Sequence, residues 1–224
     1  IESQVLRMFD WEIARLVERH MEAKGVRVMT NTRVTAIEGC SDEPERAGLV
    51  RTDRGTLPVD MVILAAGVRP NVELAVKAGL GISKETGAIE VDDHLCTSDP
   101  DIYAAGDCVG CRDLITERAC YVPLGSTANK QGRVAAVNVC GGDETFPGVL
   151  GTTVCKVFDY CVGRTGLTEA GARELGYDVV TVLAPAPDRA HFMPTAQMLL
   201  LKLVVDEETG RLLGAQVTGP GEGP

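Results

Sequence analysis

The stretch Cys96-Thr97-Ser98-Asp99-Pro100-Asp101-Ile102-Tyr103-Ala104-Ala105-Gly106-Asp107 constrains this chain more than any other part of it. Asp99-Pro100-Asp101 breaks whatever precedes it, because proline fixes φ and pushes Asp99 out of the helical region. Residues 102–105 are small and apolar enough for a short strand buried on both faces of a sheet. Gly106 permits a tight turn and a close approach of backbone to ligand. Asp107 then sets a carboxylate, acceptor-only when ionised, at the rim where open α/β sheets bind their ligands. A sugar or polyol chain offers hydroxyl donors to such a group. The alternative is that Asp107 caps a following helix.

The 224 residues, 45% hydrophobic and 24% charged, are enough for a sizeable core in one large domain or in pieces of two or three. A net charge of −10 argues against nucleic-acid binding, which needs clustered Lys and Arg. No apolar run approaches the roughly 20 residues of a membrane helix; the longest, around 198–205, is interrupted by Lys202. Nor is there a signal-peptide pattern, so neither membrane nor nucleic acid is expected as a partner, and the expected compartment is cytoplasmic. Of Cys40, Cys96, Cys108, Cys111, Cys120, Cys140, Cys155 and Cys161, only Cys108-Val109-Gly110-Cys111 has a recognisable spacing. It can be a redox pair or half a zinc site, yet no second pair completes a tetrahedron. The plainer reading is small reduced hydrophobes, with no metal site.

Along the chain, Asp10 is positioned to cap a helix whose buried face is Ile13, Leu16, Val17 and Met21 and whose stop is Gly25. Residues 26–29 and 34–37 read as strands, and 49–52 with 56–59 flank Asp53-Arg54-Gly55 as a hairpin. Met61-Val62-Ile63-Leu64-Ala65-Ala66 reads as a buried parallel strand ending at Gly67. A short helix over 73–78 and a strand over 88–91 lead into the opening motif. Ser126 or Thr127 is expected to cap a helix running through Val139. Beyond Phe146-Pro147-Gly148 the pattern becomes α+β, with a hairpin over 152–164, a helix from Thr168 to Gly176, a strand over 179–183, and 199–205 pairing with 212–217. Ile1 in place of Met, and Gly219-Pro220-Gly221-Glu222-Gly223-Pro224 directly after a strand, make both ends look cut.

Three motifs, in order, resemble those of the pyridine nucleotide-disulfide oxidoreductases, the flavoenzymes with two dinucleotide sites. Leu64-Ala65-Ala66-Gly67-Val68-Arg69-Pro70-Asn71 resembles the strand end that closes the NAD(P) domain, with Gly67 leaving room for a cofactor. Residues 97–107 resemble the second FAD motif. The resemblance implies that Asp107 binds the ribityl chain and that Gly106 and the segment Thr97, Ser98, Asp99, Pro100, Asp101, Ile102, Tyr103, Ala104 and Ala105 give backbone contacts. Pro123-Leu124-Gly125-Ser126-Thr127-Ala128-Asn129-Lys130-Gln131-Gly132-Arg133 resembles the helix start facing the isoalloxazine ring in the NADH oxidase and coenzyme A-disulfide reductase branch. A helix N-terminus favours an anionic reduced flavin. The resemblance places Leu124, Gly125 and Ala128 near the ring and Asn129 near the substrate. Lys130 and Arg133 read as a solvated face. Gly151 to Asp159 and Thr165 to Glu169 resemble the start of the dimerisation domain.

The expected fold is therefore α/β: incomplete FAD/NAD(P)-binding Rossmann-like domains followed by part of an α+β dimerisation domain. The expected boundaries are 1–71 for the NAD(P) part, 72–146 for the FAD part and 147–224 for the dimerisation part. No GxGxxG follows a strand, and no cysteine matches the family's catalytic one in context, so no catalytic residue is assigned. His20, His94 and His191 read as solvated or structural, with His191 the one on a loop. The resemblance implies a fragment of an FAD-dependent enzyme passing a hydride from NAD(P)H to a small-molecule acceptor, a disulfide (such as coenzyme A disulfide), oxygen or a related species. It also implies a homodimeric parent and an inactive isolated chain. The alternatives are a catalytically silent, folded or dimerising remnant and a reductase feeding an electron-transfer protein.

Overall fold

A computed structural model of the chain describes residues 2–221; Ile1 and the terminal Glu222-Gly223-Pro224 lie outside the described residues. The chain forms two compact units. One draws on the segment up to Gly67, on Val154–Gly163 and on the chain from Thr168 onward; the other on Val68–Thr153 and Arg164–Leu167.

The first unit begins with helix α1, Trp11–Ala23. Its Ile13 and Val17 are fully buried and pack with Phe9 and Val162. Met21 packs against them partly buried, but Leu16, expected on the same face, is 39% exposed, and Ala14 and Glu18 are buried instead. Gly25 at φ 87° turns the chain out after the helix. Asp10 occupies the N-cap position with extended backbone, but its side chain makes no capping bond to α1. The carboxylate is committed elsewhere: it accepts from the Glu169 backbone N–H at 3.0 and 3.1 Å and from Gln216 Nε2 at 2.6 Å.

Residues 26–29 are not a strand. Val26 N–H returns to Met21 O at 3.0 Å, so the segment continues the helix exit instead of pairing. The meander β1 (Val34–Gly39), β2 (Ala47–Thr52) and β3 (Gly55–Pro58) follows as an antiparallel sheet in the order β1-β2-β3, with the expected hairpin closed by Thr52 opposite Gly55. The expected buried strand over 61–66 is also corrected. The run is irregular and exposed: Met61 is 77%, Ile63 82% and Leu64 78% accessible. Burial on both faces needs flanking strands, and none of the described residues pairs with it.

Helix α2 is Glu73–Lys77, as its sequence predicts. In the second unit, loops 78–110 are stitched by single bridges, Ile82 to Ile89, Ile89 to Val109 and Cys96 to Tyr103. The strands expected over 88–91 and 102–105 are thus reduced to bridges at single residues, Ile89 and Tyr103, and Ile102 is 36% exposed. Two short strands that the sequence pattern hides, β4 (Cys111–Arg112) and β5 (Ala119–Cys120), form an antiparallel ribbon. Helix α3 then runs from Gly125 to Val139. It starts earlier than Ser126 or Thr127 would as caps, because Thr127, Gln131, Val134 and Asn138 form its buried stripe and Thr127 must lie inside it. Leu95, Val134, Phe146 and Val149 make this unit's larger core, and Ala75, Ile89 and Val109 a smaller one.

The remaining elements are β6 (Thr153–Val157), β7 (Tyr160–Gly166), α4 (Glu169–Glu174), β8 (Val179–Pro187), β9 (Met198–Asp206) and β10 (Leu212–Pro220). Thr168 caps α4 by accepting from the Gly171 N–H at 3.0 Å. The five strands form one sheet in the order β6-β7-β10-β9-β8. Register places Gln216 of β10 opposite Lys202 of β9, and both are buried. Lys202 Nζ is 2.8 Å from Glu169, 3.0 Å from Glu12 and 3.3 Å from Asp10. The lysine that interrupts the longest apolar run therefore ties α1 and α4 to the sheet. Among the described residues no helix is long and apolar enough to cross a membrane.

Candidate functional site

The opening motif folds as two successive turns. The Thr97 hydroxyl accepts from the Asp99 N–H, and Asp99 Oδ1 accepts from the Asp101 N–H. The Thr97 N–H donates to Ile102 O at 2.9 Å, closing the loop around Pro100. Ser98 Oγ accepts from the Gly81 N–H at 3.0 Å. These side chains build the loop, in the manner of Asx and Ser/Thr turns. Ala104 N–H donates to Leu95 O, so the chain from Tyr103 to Ala105 runs beside the core and delivers Gly106 at its end.

Gly106 has φ 87°, a region costly for residues with a Cβ. Its N–H donates to Gln131 Oε1 at 2.8 Å. Gln131 is fully buried on α3, so the turn is clamped to the first half of that helix. A Cβ added at Gly106 would stand 3.7 Å from the Ala128 methyl, an ordinary contact. Asp107 is exposed, and its carbonyl accepts from the Tyr121 hydroxyl at 2.9 Å. Burial, and then the charge of Asp107 and Cys108, push the Tyr121 phenol above its ordinary range. No helix starts after Asp107; the chain passes into the bridge at Val109 and then β4, so helix capping is excluded as its role.

Helix α3 enters through Leu124 in extended backbone with no side-chain cap. Ala128 N–H is the first to bond back, to Leu124 O at 2.9 Å. The N–H groups before it have no intrahelical acceptor, which leaves donors and the positive end of the helix dipole at Gly125. Asn129, Lys130 and Arg133 are exposed on α3. The structure thus brings Gly106 and Asp107 together with Ala128 and the start of α3. Gly67, at φ 103°, ends the first segment of the other unit.

Sequence reasoning missed Gln131 and Tyr121, which hold the turn. Its helical spacing from Thr127, Val134 and Asn138, which places it on the buried stripe of α3, is the signal that marks Gln131. The histidines take ordinary places. His94 Nδ1 lies 3.1 Å from Glu144 O, and His191 packs edge-on against Phe192. His20 stacks on Tyr160 and bonds Asp159 at 2.8 Å.

Residues 1–136 match the pyridine nucleotide-disulphide oxidoreductase family, and 152–223 match the dimerisation domain of those proteins. The chain belongs to the pyridine nucleotide-disulphide oxidoreductases. Among similar members, the NAD(P)H coenzyme A polysulfide/persulfide reductase of Pyrococcus horikoshii is 44% identical over 97% of this chain and 48% of its own length. The NADH oxidase of Methanocaldococcus jannaschii is 39% identical over 96% and 47%. The solved NAD-dependent persulfide reductase from A. fulgidus superposes with a TM-score of 0.93 at 45% identity, covering 99% of this chain and 41% of that one. The chain thus spans about half the length of the curated relatives it matches. Its α/β class, with Rossmann-like dinucleotide-binding and dimerisation regions, is that of the family, whose cofactors are FAD and NAD(P)H.

Proposed function

We propose that this chain is the second half of an FAD-dependent NAD(P)H oxidoreductase and supplies one wall of the flavin site. The observation that carries the reading is the Gly106-Asp107 turn, clamped by Gln131 against the uncapped start of α3. These residues fit a flavin. Gly106 leaves nothing nearer than the Ala128 methyl, Asp107 is an exposed acceptor, and the first turn of α3 has donors to spare. Bound there, FAD would take a hydride from NAD(P)H and hand two electrons to an acceptor. Asp107 would accept from the ribityl hydroxyls. The backbone of residues 97–106 would line the same edge, and Leu124, Gly125 and Ala128 would approach the ring, where the helix dipole favours negative charge. Asn129 is the proposed substrate contact and Gly67 a contact of the NAD(P) part.

The acceptor class proposed is a small disulfide or persulfide, or oxygen. The names of the relatives support it: the Pyrococcus protein is a coenzyme A polysulfide/persulfide reductase and the Methanocaldococcus protein an NADH oxidase. We propose the partition 1–71, 72–146 and 147–224, a homodimeric parent, supported by the dimerisation-domain match, and a cytoplasmic setting, supported by eight free cysteines. The test is Asp107→Ala in a protein of the relatives' full length: flavin per polypeptide should fall. Unchanged flavin content would remove the assignment. The isolated chain is expected to bind flavin weakly, and a stoichiometric yellow complex of it would contradict the half-site reading.

A further inference from the structure

Cys108 and Cys111 are the pair that the spacing singles out, yet the fold pairs Cys111 differently. Cys111 and Cys120 are direct partners across the β4–β5 ribbon. Antiparallel partners have Cα atoms about 4.5–5.5 Å apart, inside the span of about 4.4–6.8 Å that a disulfide bridges. Both side chains lie on one face, packed against the Leu95, Val134, Phe146 and Val149 cluster. Cys111 also lines an open cleft of about 280 Å³ with Ile89, Gly110 and Phe146, so a small molecule reaches it. Its sulfur accepts from Gln131 Nε2 at 3.3 Å, and Gln131 Oε1 holds the Gly106 N–H. One buried amide therefore connects the cysteine pair to the Gly106-Asp107 turn.

We propose that Cys111 and Cys120 form a cross-strand disulfide by exchange with a small organic disulfide, and that this bond frees Gln131 and loosens the Gly106-Asp107 turn. One cysteine thiolate attacks the small disulfide RSSR, giving a mixed disulfide and one RSH. The second cysteine then displaces the RS group, forming the Cys111–Cys120 bond and releasing a second RSH. Two protein thiols are oxidised, one RSSR is reduced, and the two thiol protons leave with the two RS groups. As the Cys111 sulfur moves toward Cys120 it withdraws from Gln131. Burial raises both thiols, Cys120 to about 12 with the charges of Cys111 and Asp113 adding to the effect. Exchange is therefore slow at neutral pH and accelerates as pH rises. The reduced pair also lacks the thiolate stabilisation that makes a disulfide easy to reduce, so the bond, once formed, persists. The consequence for cofactor binding rests on the proposed flavin site; the bond itself does not.

The test uses the 224-residue chain and oxidised glutathione. Tryptic mapping without reduction should show peptide 85–112 joined to peptide 119–130. The link should survive Cys108→Ser and disappear in Cys111→Ser. A loop within peptide 85–112, or a link that survives Cys111→Ser, would overturn the pairing. So would full recovery of all eight thiols. Deuterium exchange at the Gly106 amide should rise about tenfold in the oxidised chain, the weight of one lost hydrogen bond. Unchanged exchange in cross-linked chain would sever the bond from the turn. Neither readout involves flavin, so failure here and failure of the flavin reading are distinguishable.

Discussion

Replacing Lys202 with Met isolates the largest polar commitment in the first unit. Lys202 is 2% exposed and faces Glu169, Glu12 and Asp10 at 2.8–3.3 Å. Burial alone would lower its pKa, but Glu169, Glu12 and Asp10 raise it, so the ammonium is retained. In turn Lys202, with a smaller share from Arg173, holds the Glu169 carboxyl below its ordinary range. Methionine keeps the apolar stem and deletes the charge, leaving three carboxylates facing one another with Asp10 buried. Breaking a buried pair in this way costs about 3–5 kcal/mol at neutral pH. With a urea slope of about 2 kcal/mol/M, the midpoint should fall by about 1.5–2.5 M. Trp11, the sole tryptophan, lies in this unit, and its fluorescence is the probe.

The pH dependence supplies the sharper check. Glu169 has a folded pKa below its unfolded value of about 4.3, so its contribution is present above that value and is lost as pH falls through the folded pKa. Without Lys202 the carboxylates bind protons more readily, so the variant's deficit should shrink as pH drops below about 5. A midpoint shift under half a molar, or a deficit independent of pH, would refute the reasoning.

Three smaller perturbations follow from other contacts. Gly106→Ala should cost about 1–2 kcal/mol in thermal melts, because φ 87° penalises a Cβ while the 3.7 Å approach to Ala128 does not. Gln131→Leu leaves the half-buried Gly106 N–H without its acceptor and should cost about 1–2 kcal/mol in the second unit, seen as a lower melting temperature. Asp159 is drawn down to about 2 chiefly by Lys24, with His20 assisting. Its contribution is therefore present above its unfolded value of about 3.9 and fades as pH falls toward 2. Lys24→Ala should move the Asp159 carboxyl titration upward by NMR, and an unmoved titration would exclude the ion pair.

Local pattern carried most of the elements. The stripe of Ile13 and Val17, the turn glycines at 25 and 55, and the Thr168 cap mark α1, the meander and α4 where the structure has them. Pattern failed where an element needs a neighbour. Residues 61–66 and 88–91 have strand composition, but a strand is a pairing, and pairing partners are not a local property. It also failed for long-range polar contacts. Asp10 has the right type and place for an N-cap, yet Gln216, 206 residues away, and the α4 backbone compete for its oxygens and win. At the candidate site, the turn at Gly106 was legible because a glycine after a short apolar run tolerates the positive φ found there, while the role of Asp107 stays a proposal. Gln131 was not, since only the fold shows that its amide serves two masters, Gly106 and Cys111.

The exposed run over 61–66 has a consequence for how the chain meets proteases. A protease needs an accessible segment free of strand pairing, and this one is exposed, outside any sheet of the described residues, and rich in large apolar side chains. Limited digestion with a chymotrypsin-like enzyme should cut first near Met61 and Leu64, before any site in α1 or the five-stranded sheet. The N-terminal piece would not leave. Its Phe9, Ile13 and Val17 are packed with Val162, and its Asp10 and Glu12 are held by Lys202, so both pieces should co-elute until denaturant parts them.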